Sequence, residues 1–460
     1  MLFSSQPFLL LFLPLSLLAY YGLATSYRGR LAALTVASMT FYAWWDPRFV
    51  PLLAGMIVLN WAVVRIHAEV ARSSILRLGV VLNLAVLGLF KYANFLAESV
   101  LSVFSIEHEP WGLILPLGIS FFTFQQISYL VDRARGDAPV YGLAEYAAYV
   151  SFFPQLIAGP IVRHNQLINQ FRTDPRTVAN LEMAGRGLVL LTLGLIKKVF
   201  FADELAPIAD AGFDPVAAGA AITFGEAWLA ALAYSLQLYF DFSAYSDMAL
   251  GLGALFGFSL PLNFNAPYRA LDIRDFWRRW HMTLSSFLRD YLYIPLGGNR
   301  GTVARTFFTV MATMLLCGLW HGAGWTFIAW GALHGGAICI NRLWARSPWH
   351  LPRIAAWGVT MIFVILGWVL FRAESFDVAA TMLTGMGSPG AFTAGDIDTE
   401  DMVFVLIGAL FATLGPTNVT VSERRHLLRR RYAVAAACGL FLVTLRVGQG
   451  RGLEFIYFQF

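Results

Sequence analysis

Apolar residues fill this chain in long blocks, at 7–24, 31–44, 50–64, 78–90, 113–131, 187–202, 227–258, 309–319, 354–371 and 432–445, with short charged clusters between them. Blocks approaching 20 residues match the helix length that crosses a hydrocarbon core of about 30 Å. At that depth every backbone N–H and C=O must be satisfied internally, so the blocks predict helices. The pattern reads as an all-α, polytopic membrane protein of about eleven spans, with re-entrant or interfacial pieces besides. The block at 146–161 is one such piece, because Pro154, Gly159 and Pro160 interrupt it. Broken backbone at membrane depth persists only where it lines protein or water.

Two stretches carry polar patterning of their own. Within 227–258, Gln237, Asp241 and Tyr245 fall four residues apart on one helical face, while Asp247 falls elsewhere. Interhelical hydrogen bonding and the lining of a cavity both fit such a face. Between 267 and 305, seven arginines (Arg269, Arg274, Arg278, Arg279, Arg289, Arg300, Arg305) outnumber three aspartates. Arg274, Arg278, His281, Ser285 and Arg289 step by four, three, four and four, which predicts one polar stripe on a helix. An interfacial anchor explains the arginines of a basic amphipathic helix, and it explains His281 less well.

Composition agrees with a membrane protein. The 460 residues are 58% hydrophobic and 13% charged, about half the charge of an ordinary soluble domain. No compositional break marks a second domain, so 1–460 reads as one integral-membrane domain with a core at about 115–345 and a tail at 446–460. The first block lacks a basic flank and reads as a span, not a cleaved signal peptide. Cys317, Cys339 and Cys438 lie in apolar runs without metal-ligand spacing and read as small buried residues, so neither a disulfide framework nor a metal site is implied.

Loop charge gives an orientation. Arg28 and Arg30, then Arg65, Arg72 and Arg77, then Arg133, Arg135, Arg163 and Arg172 mark cytoplasmic ends, as do 269–305, Arg342, Arg346, Arg353 and the cluster 424–431. The acidic segments 98–109, 203–214 and 374–401 alternate with them on the outside, and the tail Phe455-Ile456-Tyr457-Phe458-Gln459-Phe460 ends outside. The net charge of +5 thus reflects loop arginines and is not a nucleic-acid signature.

The candidate chemistry centres on Trp320-His321-Gly322-Ala323-Gly324-Trp325, followed by His334 in Gly331-Ala332-Leu333-His334-Gly335-Gly336. An ionisable group at membrane depth is costly and is usually kept for function. The flanking glycines let a substrate or a neighbouring helix approach the imidazole. On one continuous helix, thirteen residues would put His334 about 140° away from His321, so it is expected to pack or orient.

Six blocks resemble the membrane-bound O-acyltransferase family, in particular its alginate O-acetyltransferase branch. They are MLFSSQPFLLLFLPL (1–15), LPLGISFFTFQQISYLVD (115–132), FFPQLIAGPIVR (152–163), YFDFSAYSDMALGLGALFGF (239–258), NFNAPYRALDIRDFWRRWHMTLSSFLRDYLYIPLGGNR (263–300) and GLWHGAGWTFIAWGALHG (318–335). Proteins that acetylate peptidoglycan and cellulose are similar, and the teichoic-acid D-alanylating protein more distantly so. The resemblance implies a helical disc with a central tunnel in the bacterial inner membrane. It makes His321 the catalytic histidine and His281 the second polar position. It also implies no bound cofactor and an acyl thioester donor, acetyl-coenzyme A or another, arriving from the cytoplasm. The tail 455–460 is similar to the terminal Phe-x-Tyr-x-x-Phe motif of a small acyl-carrying partner, which makes Tyr457 a candidate acyl relay; an aromatic interface belt is the competing reading.

An imidazole suits removal of a hydroxyl proton during attack on a thioester. Developing oxyanion charge needs donors, which His281, arginines or backbone N–H groups near Gly322 could supply. Arg274, Arg278 and Arg289, with Trp320, Asp241 and His334, form the expected donor and substrate side, guanidinium groups suiting phosphate. The 460 residues contain no Gly-x-Ser-x-Gly elbow. They also contain no soluble hydrolase-like segment for placing acetyl on an external polysaccharide, so a periplasmic acetyltransferase of the SGNH-hydrolase type is an expected partner. A transporter or flippase for a polysaccharide precursor or acyl group is the alternative, since intramembrane histidines and aspartates also line permeation paths; two matching interrupted halves, which would support it, are absent.

Overall fold

The structure, a computed structural model, describes residues 1–388, 398–423, 430–449 and 455–458. Helices and loops account for the described residues, and no strand occurs among them. Four described helices are long and apolar enough to cross a membrane: Pro47–Val70, Ser73–Val103, Val303–His321 and Arg353–Arg372. Some other blocks fold as shorter helices, such as Tyr27–Ala43 and Ile119–Arg135, while 227–258 lies on the 32-residue helix Phe224–Leu255. The 146–161 block breaks as expected, into Leu143–Ser151, Phe153–Leu156 and buried irregular chain beyond. The acidic stretch 203–214, expected as a loop, is the helix Asp203–Ala217. Its apolar face buries Leu205, Ile208, Ala209 and Phe213, while Pro207 and Pro215 lie inside it.

The chain forms two compact units. The first combines Met1–Leu195, Tyr245–Leu262 and Ser422–Phe458. Its helices meet through small and amide side chains, as expected where lipid supplies no hydrophobic contrast. Asn60 donates to Gln126 Oε1 at 2.8 Å, and Asn83 donates to Asn60 Oδ1 at 2.7 Å, tying three helices together. Gly187 and Gly251 let two backbones touch, because a Cβ on either would strike the other's carbonyl. The C-terminal residues belong to this unit: Phe455 and Phe458 pack on Tyr245 with ring centroids 4.8 and 6.3 Å away.

The second unit comprises Ile196–Ala244 and Asn263–Val421. Its spine is a hairpin of Val303–His321 and Trp325–Trp344, joined by three residues. Gly318 and Gly331 make the close approach possible, since a Cβ on Gly318 would collide with the Phe327 carbonyl and one on Gly331 with the Met314 carbonyl. Close backbone packing of this kind is the usual service of small residues between membrane helices. An ion triad around a buried lysine lies in the same unit. Lys198 Nζ meets Asp241 at 2.6 Å and Asp203 at 2.8 Å, with Lys198 and Asp241 side chains each 2% exposed. Gln237, Asp241 and Tyr245 do share the single long helix Phe224–Leu255.

Candidate functional site

His321 ends the Val303–His321 helix, where Gly322 leaves helical geometry at φ −155°. The Phe327 ring occupies the space a Gly322 side chain would need, so this glycine admits a neighbouring helix, one of the two approaches the sequence allowed. The imidazole is 3% exposed. Its Nδ1 lies 2.7 Å from the Cys317 carbonyl. A carbonyl only accepts, so Nδ1 carries the proton and Nε2 is the basic nitrogen of the neutral ring. Trp320, Trp330 and Phe371 surround the ring at 4.9, 5.1 and 5.5 Å between centroids. His281 stands 6.5 Å away.

His281 corrects the expected continuous stripe. The segment folds as two short helices, Ile273–Arg279 and Met282–Leu288, and His281 between them adopts a left-handed backbone at φ +43°, ψ +54°. Asn263 holds this corner: its carbonyl accepts from Met282 N at 2.9 Å, and its Oδ1 faces Thr283 Oγ1 at 2.9 Å and His281 Nδ1 at 3.1 Å. Thr283 N also donates to that Oδ1, at 3.3 Å, so the amide oxygen is the acceptor and His281 too has its proton on Nδ1. In that tautomer His281 Nε2 accepts and does not donate, which favours holding a hydroxyl over stabilising an oxyanion.

His334 sits on Trp325–Trp344, a helix separate from that of His321, so the angle expected from one continuous helix does not apply. The Trp330 ring lies between the two histidines, 5.1 Å from His321 and 4.7 Å from His334. Trp277 Nε1 donates to His334 Nδ1 at 3.3 Å. His334 therefore takes the opposite tautomer, and its buried Nε2 meets no acceptor among the described residues. Gly367 makes room there, since a Cβ on it would lie 3.1 Å from that nitrogen.

The remaining expected residues divide. Arg274 lines a cleft with Arg342 and Arg346, while Arg278 is exposed and Arg289 pairs with Asp290 at 2.7 Å. Asp241 is engaged by Lys198, and Trp320 packs between His281 and His321. Cys317 and Cys339 are buried as expected, but Cys438 is exposed. The side chain of Tyr457, together with Asp396, Arg424, Arg425, Arg429 and Phe460, lies outside the described residues; the Tyr457 backbone belongs to the turn Ile456–Phe458. No group of three potential metal ligands occurs among the described residues. Asn263, Trp277 and Lys198 were not singled out in the sequence, and Arg342 and Arg346 stood out only as charges of a cytoplasmic end. Asn263 begins a motif block, but only its contacts mark it as the clamp on His281.

The family model described as membrane-bound O-acyltransferase matches residues 80–376, which contain His281, His321 and His334. A probable alginate O-acetylase from Azotobacter vinelandii is 48% identical over 424 residues, 89% of this chain and 83% of that protein. A peptidoglycan O-acetyltransferase from Helicobacter pylori is 42% identical, covering 84% of this chain and 80% of its own length. A teichoic acid D-alanyltransferase from Streptococcus thermophilus is 30% identical over 50% of this chain and 58% of its own. By the matched model and by these extents, this chain is an acyltransferase and belongs to the membrane-bound O-acyltransferase family.

Proposed function

We propose that the protein is an O-acetyltransferase of the bacterial inner membrane, taking acetyl from a cytoplasmic thioester and passing it outward for O-acetylation of an exported or cell-surface polysaccharide, alginate in type. The observation that carries this is the tautomer of His321: Nδ1–H is committed to the Cys317 carbonyl, which leaves Nε2 as the base, in a cage of Trp320, Trp330 and Phe371. Nε2 removes a hydroxyl proton, the oxygen attacks the thioester carbonyl, the C–S bond breaks, and the imidazolium returns the proton to the departing thiolate. His281 positions that hydroxyl. The acetyl-accepting hydroxyl is that of Tyr457, an acyl relay, and a periplasmic acetyltransferase of the SGNH-hydrolase type then moves acetyl from the tyrosine to the glycan. Phenolate is a good leaving group, so the aryl ester passes its acyl group on readily. The names of the alginate- and peptidoglycan-acetylating relatives support the choice of acetyl and of a polysaccharide acceptor.

The direct test is thioester consumption by the purified protein in lipid discs with acetyl-coenzyme A. Turnover by the parent protein and a loss of about hundredfold or more in His321→Ala are expected. Consumption of no thioester at all, with transport of an acyl group or glycan precursor instead, would return the protein to the transporter class.

A further inference from the structure

Three arginines from two distant parts of the sequence converge at the open end of the hairpin. Arg274 comes from the Ile273–Arg279 helix, and Arg342 and Arg346 from the end of Trp325–Trp344 and the turn beyond it. With Asn299, Thr306 and the first residue of the Val303–His321 helix they line a cleft of about 390 Å³. No carboxylate lines it, and none of the three arginines joins an ion pair among the described residues. Neighbouring arginines behave differently: Arg279 is paired with Asp275 and Arg289 with Asp290. Arg274 and Arg342 each keep a buried Nε that meets no acceptor. Three uncompensated guanidinium groups around a concavity form a site for an anion of several charges.

A second, apolar crevice of about 170 Å³ adjoins this one and shares Arg342. Trp277, Leu288, Val310, Met314 and Ile338 line it. Trp277 in turn contacts His334 and, at 5.7 Å between ring centroids, Trp330, a ring that also packs on His321. A charged head in the cleft therefore has beside it an apolar shelter for a slender arm, extending as far as Trp277.

We propose that Arg274, Arg342 and Arg346 form a phosphoryl-binding subsite for the polyphosphate head of a nucleotide-type thioester, whose arm follows the apolar crevice. Three free cations match a head with a diphosphate and a further phosphate. A carrier protein's single phosphodiester would neutralise only one of them. That the head belongs to the donor rests on the acyl-transfer reading above; the anion chemistry of the cleft does not.

The test uses full-length protein in phosphatidylcholine discs. Coenzyme A without an acyl group should bind the parent protein, and Arg342→Gln/Arg346→Gln should weaken it about tenfold or more. Arg342 also donates to the Tyr293 hydroxyl at 2.9 Å, so Arg346→Gln alone serves as a variant free of that contact and should show a smaller loss of the same sign. In turnover, the double variant should raise KM for acetyl-coenzyme A about tenfold while changing KM for phosphate-free acetyl-pantetheine less than about twofold. Equal effects on both donors, or undiminished coenzyme A binding in both variants, would overturn the proposal. So would stabilisation by phosphatidylglycerol that these variants abolish and coenzyme A fails to compete with, because the cleft would then hold a lipid headgroup. Binding of coenzyme A through these arginines without any thioester consumption would uphold the subsite and reject the acyl-transfer reading.

Discussion

His281 occupies a backbone region that costs an L-residue about 1–2 kcal/mol, and Asn263 closes on it with a backbone and a side-chain contact. Strain held this firmly beside a reactive group gives a separable prediction. His281→Asn keeps a residue type that tolerates left-handed geometry, so expression and thermal stability should stay near the parent while turnover falls at least tenfold. His281→Val should lose the same turnover and, in addition, about 1–2 kcal/mol of stability. Equal stability of the two variants would remove the strain argument; retained turnover in His281→Asn would remove the positioning role. Asp241 gives a second residue-scale test. Lys198→Met leaves the buried Asp241 carboxylate facing the half-buried Asp203 carboxylate with no cation between them, a loss of about 3–5 kcal/mol, and Asp241→Asn should cost less because an acceptor remains for Lys198. Thermal unfolding in detergent measures both. If Asp241 instead binds donor, as its sequence position suggested, Asp241→Asn would raise KM with stability unchanged.

At the scale of elements, the hairpin carrying His321 and His334 depends on two glycines. A Cβ at Gly318 or Gly331 collides with backbone carbonyl, which no side-chain rotation relieves. Gly318→Ala and Gly331→Ala should each cost about 1–3 kcal/mol and shift the Trp330 ring that separates the two histidines. Thermal unfolding and turnover should fall together, unlike in His321→Ala, where turnover alone falls. An unchanged melting temperature in both glycine variants would show that the helices are not in contact as described. The sequence made part of this legible. The Trp-His-Gly block announced itself because charge is rare inside an apolar run, and glycine beside it admitted close approach. It did not show that the approach is by the returning helix, or that His321 and His334 lie on opposite arms of a hairpin. The stripe from Arg274 to Arg289 was periodic enough to read as one helix, yet the chain breaks at His281 because Asn263 takes the local backbone bond. Arg342 and Arg346 read as interfacial charges at a helix end, and only the fold brings Arg274 to them.

For the whole molecule, the proposed function turns on how acetyl would pass from a cytoplasmic donor to an external acceptor. From loop charge the arginine-rich segments are expected on the cytoplasmic side and residues 455–460 on the outside. The tail is not a loose appendage: Phe455 is 1% exposed, and Phe455 and Phe458 both pack on Tyr245. An aromatic belt at an interface needs rings and no particular hydroxyl. A relay needs the hydroxyl of Tyr457 and needs the flanking rings only to seat it. Tyr457→Phe separates the two, since it keeps the ring and deletes the nucleophile. It should abolish acetylation of the polysaccharide in cells while leaving expression and melting temperature at the parent's values. Intact-mass analysis of the parent protein after incubation with acetyl-coenzyme A, with the periplasmic partner absent, should show one acetyl adduct on the C-terminal peptide. His321→Ala should form none, because an un-ionised phenol attacks a thioester slowly without a base. An adduct that persists in Tyr457→Phe would move the relay to another hydroxyl. Full glycan acetylation by Tyr457→Phe, with no adduct in the parent, would leave the tail as a packing element and require the acceptor to meet the thioester directly.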